Sequence, residues 1–407
     1  MPIKWKSSQR FKPSLVLQKI DAARSVNPNG GASFSGFEWG ECLPALHSML
    51  SFPPVAKEID AHSLVWEALT KVCGPLTPID FLNAANAELT KRLATKEEQY
   101  HLLTTISVRL ADIPKKISCL GANINFLAGP FPRRYKGRDA LIIKHRINVP
   151  EPPISYARVI VSVKAKSHDA AVSKAMRALD LQRSLWCLMG NPSMQITFGM
   201  PSWKPINVVR LGGPHTLHRA DGTSAREGLW FDPGYVEAPL FGFKNAAVIK
   251  SNCRWALQRL RLSRYGEQLT SALVRYVRAL DESDTNTAFL RLWAVIESLT
   301  TPEVADYDKL VRRCAFLFQE SDFHRQMLEH LREYRNDSVH AGEYSKRERT
   351  LCFQLQLYFN ALIWFHIRNA KFFTSLDEAN QFLDTPPDKL MIGRKVKLAR
   401  KALQFLA

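Results

Sequence analysis

The segment YRNDSVHAG, residues 334–342, places an arginine, an asparagine and a histidine within six positions. His340 follows Asn336 by four positions, and side chains four apart share one face of a helix. Arg335 is one position off that face, but its long side chain can swing round to the same point. The spacing therefore predicts that a cation, an amide and an imidazole converge.

A second geometry is open for the same segment. If the helix breaks just after Arg335, Asp337 or Ser338 would be the N-cap of a following helix, and Arg335 and His340 would meet across the junction. Tyr334, directly before the motif, and Asp337 are supporting candidates in either geometry.

This trio suits the cleavage of RNA, which carries its own nucleophile in the 2′-hydroxyl. Histidine titrates near neutrality and can act as a general base or acid. Arginine offers a forked cation for phosphate oxygens, and stabilising the developing charge is usually the largest catalytic contribution. Asn336 would hold the imidazole tautomer or orient the phosphate. The chemistry requires no metal ion and no other cofactor.

The spacing of arginine and histidine alone is not specific. It occurs twice more, in Arg210 with His215 and in Arg325 with His330. The first pair lies in a Gly/Pro-rich segment, and the second lies on the same predicted helix as the candidate. Only residues 335–340 add an asparagine directly after the arginine, which makes them the best candidate.

The segment TNTAFLRLWAVIESLT, residues 285–300, supplies another supporting residue. Its helical spacing puts Glu297 on a stripe of apolar side chains, where a carboxylate is costly unless it is paired. We expect Glu297 to pair with Arg335, or with Arg312 or Arg313. The alternative is that Glu297 lies at the edge of the stripe and reaches water.

FLRLWAVIESL, residues 289–299, followed by YRNDSVHAG, resembles the HEPN superfamily (higher eukaryotes and prokaryotes nucleotide-binding). The Apea-like branch, associated with bacterial anti-phage defence, is the most similar. The family motif of arginine, a polar residue, three or more residues and histidine falls on Arg335, Asn336 and His340. The resemblance covers about residues 246–375.

Membership in this family would imply a metal-independent endoribonuclease in which Arg335 and His340 are catalytic. It would also imply a homodimer whose two motifs face each other across a twofold axis, as an isologous interface allows. Some HEPN domains only bind nucleotides or act as scaffolds, usually with a degraded motif, whereas the motif here is intact. The competing hypothesis is a non-catalytic nucleic-acid-binding or scaffold protein that dimerises through its helical domain. A purely structural Arg335 should be buried, and a catalytic one should face an open cleft.

The pattern of helix and strand signals along the chain predicts three domains. Residues 1–95 are predicted to be a helical and loop region, and residues 96–240 an α+β domain with a mixed or antiparallel sheet. Residues 246–407 are predicted to be an all-α, HEPN-like helical bundle. In the first two domains, β-branched and alternating runs predict strands, and apolar residues at helical spacing predict helices. The expected strands are 100–110, 115–127, 139–147, 157–167, 194–199 and 206–211. The expected helices are 56–72, 78–95 and 168–190, and the expected loops are 26–55 and 211–245.

Apolar residues recur at helical spacing from about residue 246 almost to the end. The run at 351–367 is interrupted by polar residues and is predicted to be a buried helix, not a membrane span. The terminal segment 387–407 is a basic amphipathic helix that could bind anionic lipid, but packing on the domain's own core is favoured.

The net charge of +18 indicates a polyanionic partner, with RNA ahead of membrane. The excess of basic residues is greatest in FPRRYKGRDALIIKHR, where Phe131 and Tyr135 lie among the cations, a combination that suits a nucleic-acid surface. The alternative is a solvated hairpin with a basic outer face. The candidate nucleic-acid-binding residues are Arg133, Arg134, Lys136, Arg138, Lys144 and Arg146.

The seven cysteines are scattered and never spaced as CxxC, which argues against a zinc site and a disulfide framework and favours a reducing cytoplasm. No apolar signal segment is apparent at the N-terminus. His215 and His218 are read as loop histidines and His366 as a core histidine, so no metal site is expected. The α+β region is expected to sense a protein or phage-derived trigger, to bind a partner or to grip RNA.

Overall fold

The structure is a computed structural model that describes residues 2–8, 10–26, 31–56, 59–145, 153–195, 204–232, 234–340, 348–386 and 388–405, with only the backbone described for Glu38, Val339 and His340. The strands are β1 Lys4–Trp5, β2 Arg24–Val26, β3 Ala32–Phe34, β4 Leu50–Ser51, β5 Glu98–Ile106, β6 Lys116–Cys119, β7 Ala122–Leu127, β8 Ala157–Ala165, β9 Pro214–Arg219 and β10 Trp230–Phe231. The helices are α1 Pro13–Ala22, α2 Glu38–Met49, α3 Ala61–Lys71, α4 Pro78–Ala94, α5 Gly137–His145, α6 His168–Gly190, α7 Ala246–Leu262, α8 Gly266–Ala279, α9 Thr285–Thr300, α10 Tyr307–Ala315, α11 Ser321–His340, α12 Glu348–Arg368, α13 Leu376–Leu383 and α14 Lys389–Leu403.

The backbone contacts divide the chain into two compact units. Unit 1 consists of Met1–Leu102, Ser162–Ala175 and Leu217–Arg226, and unit 2 consists of Leu103–Val161, Met176–Thr216 and Glu227–Ala407. The division falls within β5, β8, β9 and α6, and does not follow the predicted boundaries after residues 95 and 240.

The main sheet has six strands in the order β10-β9-β5-β8-β7-β6. Strands β6 and β7 form an antiparallel hairpin in which Cys119 pairs with Ala122. Its two turn residues, Leu120 and Gly121, both have positive φ, as a tight hairpin turn requires. The strands predicted at 100–110 and 157–167 are confirmed as β5 and β8, although β5 begins at Glu98 and ends at Ile106. The single run predicted at 115–127 forms the two strands β6 and β7.

Several predictions for the first half are wrong. The run predicted as a strand at 139–147 lies in helix α5 up to residue 145, with Leu141 and Ile142 buried on one face. Residues 206–211 contribute only an isolated bridge from Leu211 to Ile106. The expected loops contain helix α2 and strands β3, β4, β9 and β10. Most of the strand predicted at 194–199 lies outside the described residues.

Unit 1 contains helices α1 to α4, which enclose a core of mainly leucine and alanine side chains with isoleucine, valine and phenylalanine among them. Asp60 caps α3 by accepting from the backbone N–H groups of His62 and Ser63, and Thr77 caps α4 through Asp80 N–H. Helices α3 and α4 were therefore predicted correctly from the spacing of their apolar residues. The capping residues Asp60 and Thr77 define where the two helices begin.

From residue 246 onward, the described regular secondary structure consists of helices α7 to α14, as predicted. Helix α9 packs against α8, α10, α11 and α12, and its side chains Phe289, Leu292 and Trp293 are buried. Asp284 and Asp306 cap α9 and α10 with their carboxylates. Helix α11, which carries residues 335–340, is held in place by its packing against α9 and α10.

Helix α12 is buried along much of its length, as predicted for residues 351–367. None of the described helices combines the length and apolar character needed to cross a membrane. Helix α14 has no buried residue, so the prediction that it packs on the domain's own core is wrong.

Acid is expected to destabilise unit 2 through His366. This imidazole on α12 is fully buried, its Nδ1 lies 3.1 Å from the Tyr265 hydroxyl, and burial lowers its pKa from 6.5 to about 3. The folded protein therefore binds a proton at His366 more weakly than the unfolded chain, whose histidine takes it up below pH 6.5. As the pH falls from 6.5 towards 3, the free energy of unfolding falls by about 1.4 kcal/mol per pH unit.

Urea denaturation between pH 7 and pH 4 would measure this slope. We expect His366→Phe to flatten it by that amount, since the ring is retained and the titration is removed. His330→Phe is the matched control, because His330 is exposed on α11 and should leave the slope unchanged. Equal slopes in wild type and His366→Phe would contradict a neutral, buried imidazole.

Candidate functional site

Helix α11 continues without a break from Ser321 to His340. Positions 336 and 340 are therefore one turn apart, as the helical geometry predicted, and the alternative in which the helix breaks after Arg335 is wrong. The His340 side chain and residues 341–347, including Gly342, lie outside what the structure describes. The structure thus defines the backbone at both ends of the motif and the side chains from Tyr334 to Ser338.

The Arg335 guanidinium lies over the ring of Tyr307, 5.0 Å from its centroid. Its Nη1 also donates a hydrogen bond of 3.3 Å to the Asn336 side-chain oxygen, Oδ1. The side chain is half-buried, and within the described part of the chain no carboxylate forms an ion pair with it. Arg335 is held by a neutral ring and a neutral amide, so its positive charge is left for an anion from outside.

Tyr307, the first residue of α10, was not predicted to contribute to the site. Its ring packs edge-on against Trp293 at 5.9 Å and also has Arg332 over it at 5.6 Å. Arg332 is neutralised: its Nη1 bonds to Asp308 at 2.6 Å, and this bond raises the pKa of the guanidinium. Of the two arginines on this ring, Arg335 is the one without a carboxylate partner among the described residues.

Tyr334 has a structural role. Its hydroxyl donates to the side-chain oxygen of Asn286 at 3.1 Å, and its ring packs edge-on against Phe289 at 4.8 Å. Both partners lie on α9, so Tyr334 fixes α11 against α9 one residue before Arg335. Asp337, the other supporting candidate next to the motif, is exposed.

The expected pairing of Glu297 with an arginine does not occur among the described residues. Glu297 is half-buried and has no ion pair there, while Arg312 and Arg313 both bond to Asp384 at the end of α13. The alternative that Glu297 lies at the edge of the apolar stripe is therefore favoured. Within the part of the chain that the structure describes, Glu297 has no ion pair or hydrogen bond through which it would hold Arg335.

The two other arginine–histidine spacings do not form comparable sites. Arg325 and His330 are both exposed on α11. Arg210 and His215 are both buried, and the His215 Nδ1 lies 2.7 Å from the Thr104 hydroxyl. Burial, with the nearby arginines Arg138 and Arg183, lowers the pKa of His215 to about 3, so it stays neutral near pH 7.

The two histidines predicted in a loop are in fact on β9. His215 and His218 are both buried, and His218 Nδ1 lies 3.0 Å from the carbonyl oxygen of Gly222. His366 is a core histidine, as predicted. Among the described residues, no group of three or more histidine, cysteine, aspartate or glutamate side chains could hold a metal ion.

The predicted basic surface is smaller than the sequence indicated. The inclusion of Arg138 is wrong: it is 2% exposed, and its guanidinium donates to Leu103 O, Thr216 Oγ1 and Pro214 O. Tyr135 is also buried, so it is not accessible for base stacking. Arg146 lies outside the described residues. Four of the six candidates are exposed: Arg133, Arg134, Lys136 and Lys144.

Comparison of the chain with protein-family models, with curated proteins and with solved structures gave no match. These comparisons therefore identify no family for the chain.

Proposed function

We propose that the protein is a metal-independent endoribonuclease of the HEPN type, acting in the bacterial cytoplasm as a defence or toxin effector. One observation carries the proposal. Arg335 has no carboxylate partner in the described residues, rests on Tyr307 and precedes His340 by five positions in an unbroken helix. A structural arginine in a half-buried position would normally pair with an acid, because an unpaired buried charge is costly.

In the proposed reaction His340 takes the proton from the 2′-hydroxyl, and the 2′-oxygen attacks the adjacent phosphorus. The bond from phosphorus to the 5′-oxygen breaks, and the leaving oxygen is protonated by an imidazole. Arg335 donates to the phosphate oxygens as negative charge accumulates on them. Asn336 keeps the guanidinium oriented through its side-chain oxygen. The products are a 2′,3′-cyclic phosphate and a 5′-hydroxyl.

The proposed enzyme is a homodimer in which two copies of the motif form one composite site. One histidine would then act as base and its twofold mate as acid, which a single imidazole in one position cannot do at once. An isologous interface brings identical residues together and so provides this pair. The exposed cations at Arg133, Arg134, Lys136 and Lys144 would attract RNA by their charge.

The test compares purified wild type with His340→Ala on a mixed RNA substrate in the presence of EDTA. We expect the wild type to cut, the variant to be inactive, and the products to carry cyclic phosphate ends. Equal cleavage by both proteins would show that residues 335–340 are not the active site. No cleavage by the wild type would mean either that the protein is inactive without its trigger or that it is the non-catalytic binding protein.

The non-catalytic alternative also has a specific observation in its favour. The four exposed cations near α5 would bind a polyanion without any reaction, and affinity would then fall steeply with salt. Under that alternative, replacing these cations would weaken RNA binding, and replacing Arg335 would leave binding unchanged.

A further inference from the structure

A cavity of about 810 Å³ lies within unit 2, and none of the residues that line it belongs to the proposed active site. Its walls come from the hairpin β6–β7, from α6 and from the junction of α7 and α8. The volume is within the usual range for small-molecule sites, about 300–1,000 Å³. Gly266 makes the junction tight, because a side chain there would collide with the carbonyl oxygen of Leu260.

The cavity is strongly cationic. Five basic side chains line it against a single acid, Glu267, which already pairs with Arg177 at 2.5 Å. One of the five, Lys250, donates to the Ala111 carbonyl oxygen. The other four form no ion pair with a carboxylate among the described residues: Lys116, Arg254, Arg261 and Arg264.

The start of helix α8 adds to this positive potential. The helix begins at Gly266, which lines the cavity. No side chain caps it, and the N–H groups of Gly266 and Gln268 donate to the carbonyl oxygens of Ser263 and Tyr265. The partial positive charge of the helix dipole at this end still favours anions. Cations and helix start together favour a ligand with more than one negative charge.

Gln182 supplies an independent indication of a ligand. Its side chain lines the cavity and is fully buried, and its Oε1 has no hydrogen-bond partner among the described residues. The Nε2 faces the sulfur of Cys253, a weak acceptor: burial raises the pKa of that thiol to about 12, although the contact with Gln182 lowers it. A buried amide oxygen without a partner costs about 1–3 kcal/mol. A ligand with one donor and one acceptor would satisfy the whole amide.

We propose that this cavity binds a small organic phosphate. The phosphate groups contact Arg254 and Arg261 near the start of α8, and an uncharged polar edge of the organic part pairs with Gln182. Leu181, Leu257 and Leu260 provide apolar walls for that organic part. A bare inorganic anion would satisfy the cations but not the amide, whereas a phosphate ester with a flat, polar organic part satisfies both.

Isothermal titration calorimetry of the full chain with ATP, and separately with inorganic triphosphate, tests the proposal. We expect both probes to bind and ATP to bind more tightly. Arg254→Ala and Arg261→Ala should each weaken both probes about tenfold, the loss of one charge-assisted hydrogen bond. Gln182→Leu should weaken ATP alone, because it removes the amide at similar volume and keeps the cations.

Arg400→Ala on the exposed helix α14 is the control for charge alone and should change neither affinity. The proposal is overturned if neither probe binds at millimolar concentration, or if Arg254→Ala and Arg261→Ala bind both probes as the wild type does. It is also overturned if only a single-stranded RNA oligonucleotide binds in a manner that depends on these arginines. The arginines are exposed, so their variants are expected to fold even if Gln182→Leu does not.

Discussion

Replacing Arg335 with alanine is expected to reduce RNA cleavage by roughly a hundredfold to a thousandfold, the usual effect of losing one donor to a developing oxyanion. The expectation follows from its contacts. Tyr307 and Asn336 orient the guanidinium but do not neutralise it, so its charge is available for the phosphate. Arg335→Lys should recover little activity, because a lysine has no planar fork for two phosphate oxygens.

Single-turnover cleavage of a labelled RNA would measure the effect on the chemical step, with RNA binding measured separately. We expect kcat to fall far more than affinity. Arg325→Ala is the matched control, since it lies on the same helix, is exposed and has a histidine at the same spacing. An Arg325→Ala effect as large as that of Arg335→Ala would mean that the loss reflects the net charge of α11 and not one site.

Variants of Tyr307 test separately whether the position of the Arg335 guanidinium matters for cleavage. Tyr307→Phe keeps the ring beneath Arg335 and should keep most activity, while Tyr307→Ala removes the surface on which the guanidinium rests. A cation–π contact of this kind contributes about 0.5–2 kcal/mol, so the alanine variant should lose about tenfold in rate. If the two variants behave alike, Tyr307 does not position Arg335.

The sequence predicted the helical half well because each helix there has an apolar face with regular spacing. Helix α9 and helix α11 were both predicted, whereas the spacing left open whether the helix continues through residues 336–340 or breaks there. The failure at residues 139–147 has a physical reason. The run Leu141-Ile142-Ile143 fits a buried strand as well as the inner face of a short helix, and periodicity cannot separate the two in so few residues.

The contacts around Arg335 show a different limit. Glu297 was expected to pair with Arg335, Arg312 or Arg313, because a carboxylate on an apolar stripe is costly unless it is paired. The Arg335 guanidinium instead lies over an aromatic ring. That ring belongs to Tyr307, the first residue of α10. No local sequence pattern shows how α10 is oriented against α11, so the contact could not be predicted. Arg332 and Arg335 are three positions apart and so share a helix face, which was the only available sign of a shared partner. Tertiary packing decided which residue that partner would be.

Replacing Arg183 with methionine is expected to lower the free energy of unfolding by about 3–5 kcal/mol, the usual effect of removing one partner from a buried ionic network. The Arg183 guanidinium bonds to Asp281 at 2.7 and 2.9 Å and to Asp180 at 2.8 Å. Arg183 and Asp180 are each 2% exposed. Burial by itself would lower the pKa of Arg183, but the two carboxylates outweigh it and raise the pKa, so the charge is retained.

Urea denaturation of Arg183→Met and Arg177→Met compares the stability lost with a buried ion pair and the stability lost with an exposed one. Both arginines lie on α6 and both pair with carboxylates, but the pair of Arg177 and Glu267 is partly exposed and should contribute at most about 1 kcal/mol. Adding Asp281→Asn to Arg183→Met should recover part of the loss, because it removes the carboxylate left without its main partner. Asn207 still bonds to that position, so the amide has a neighbour to contact. If the two methionine variants lose equal stability, the network does not hold α6 to the helical bundle more strongly than a surface pair does.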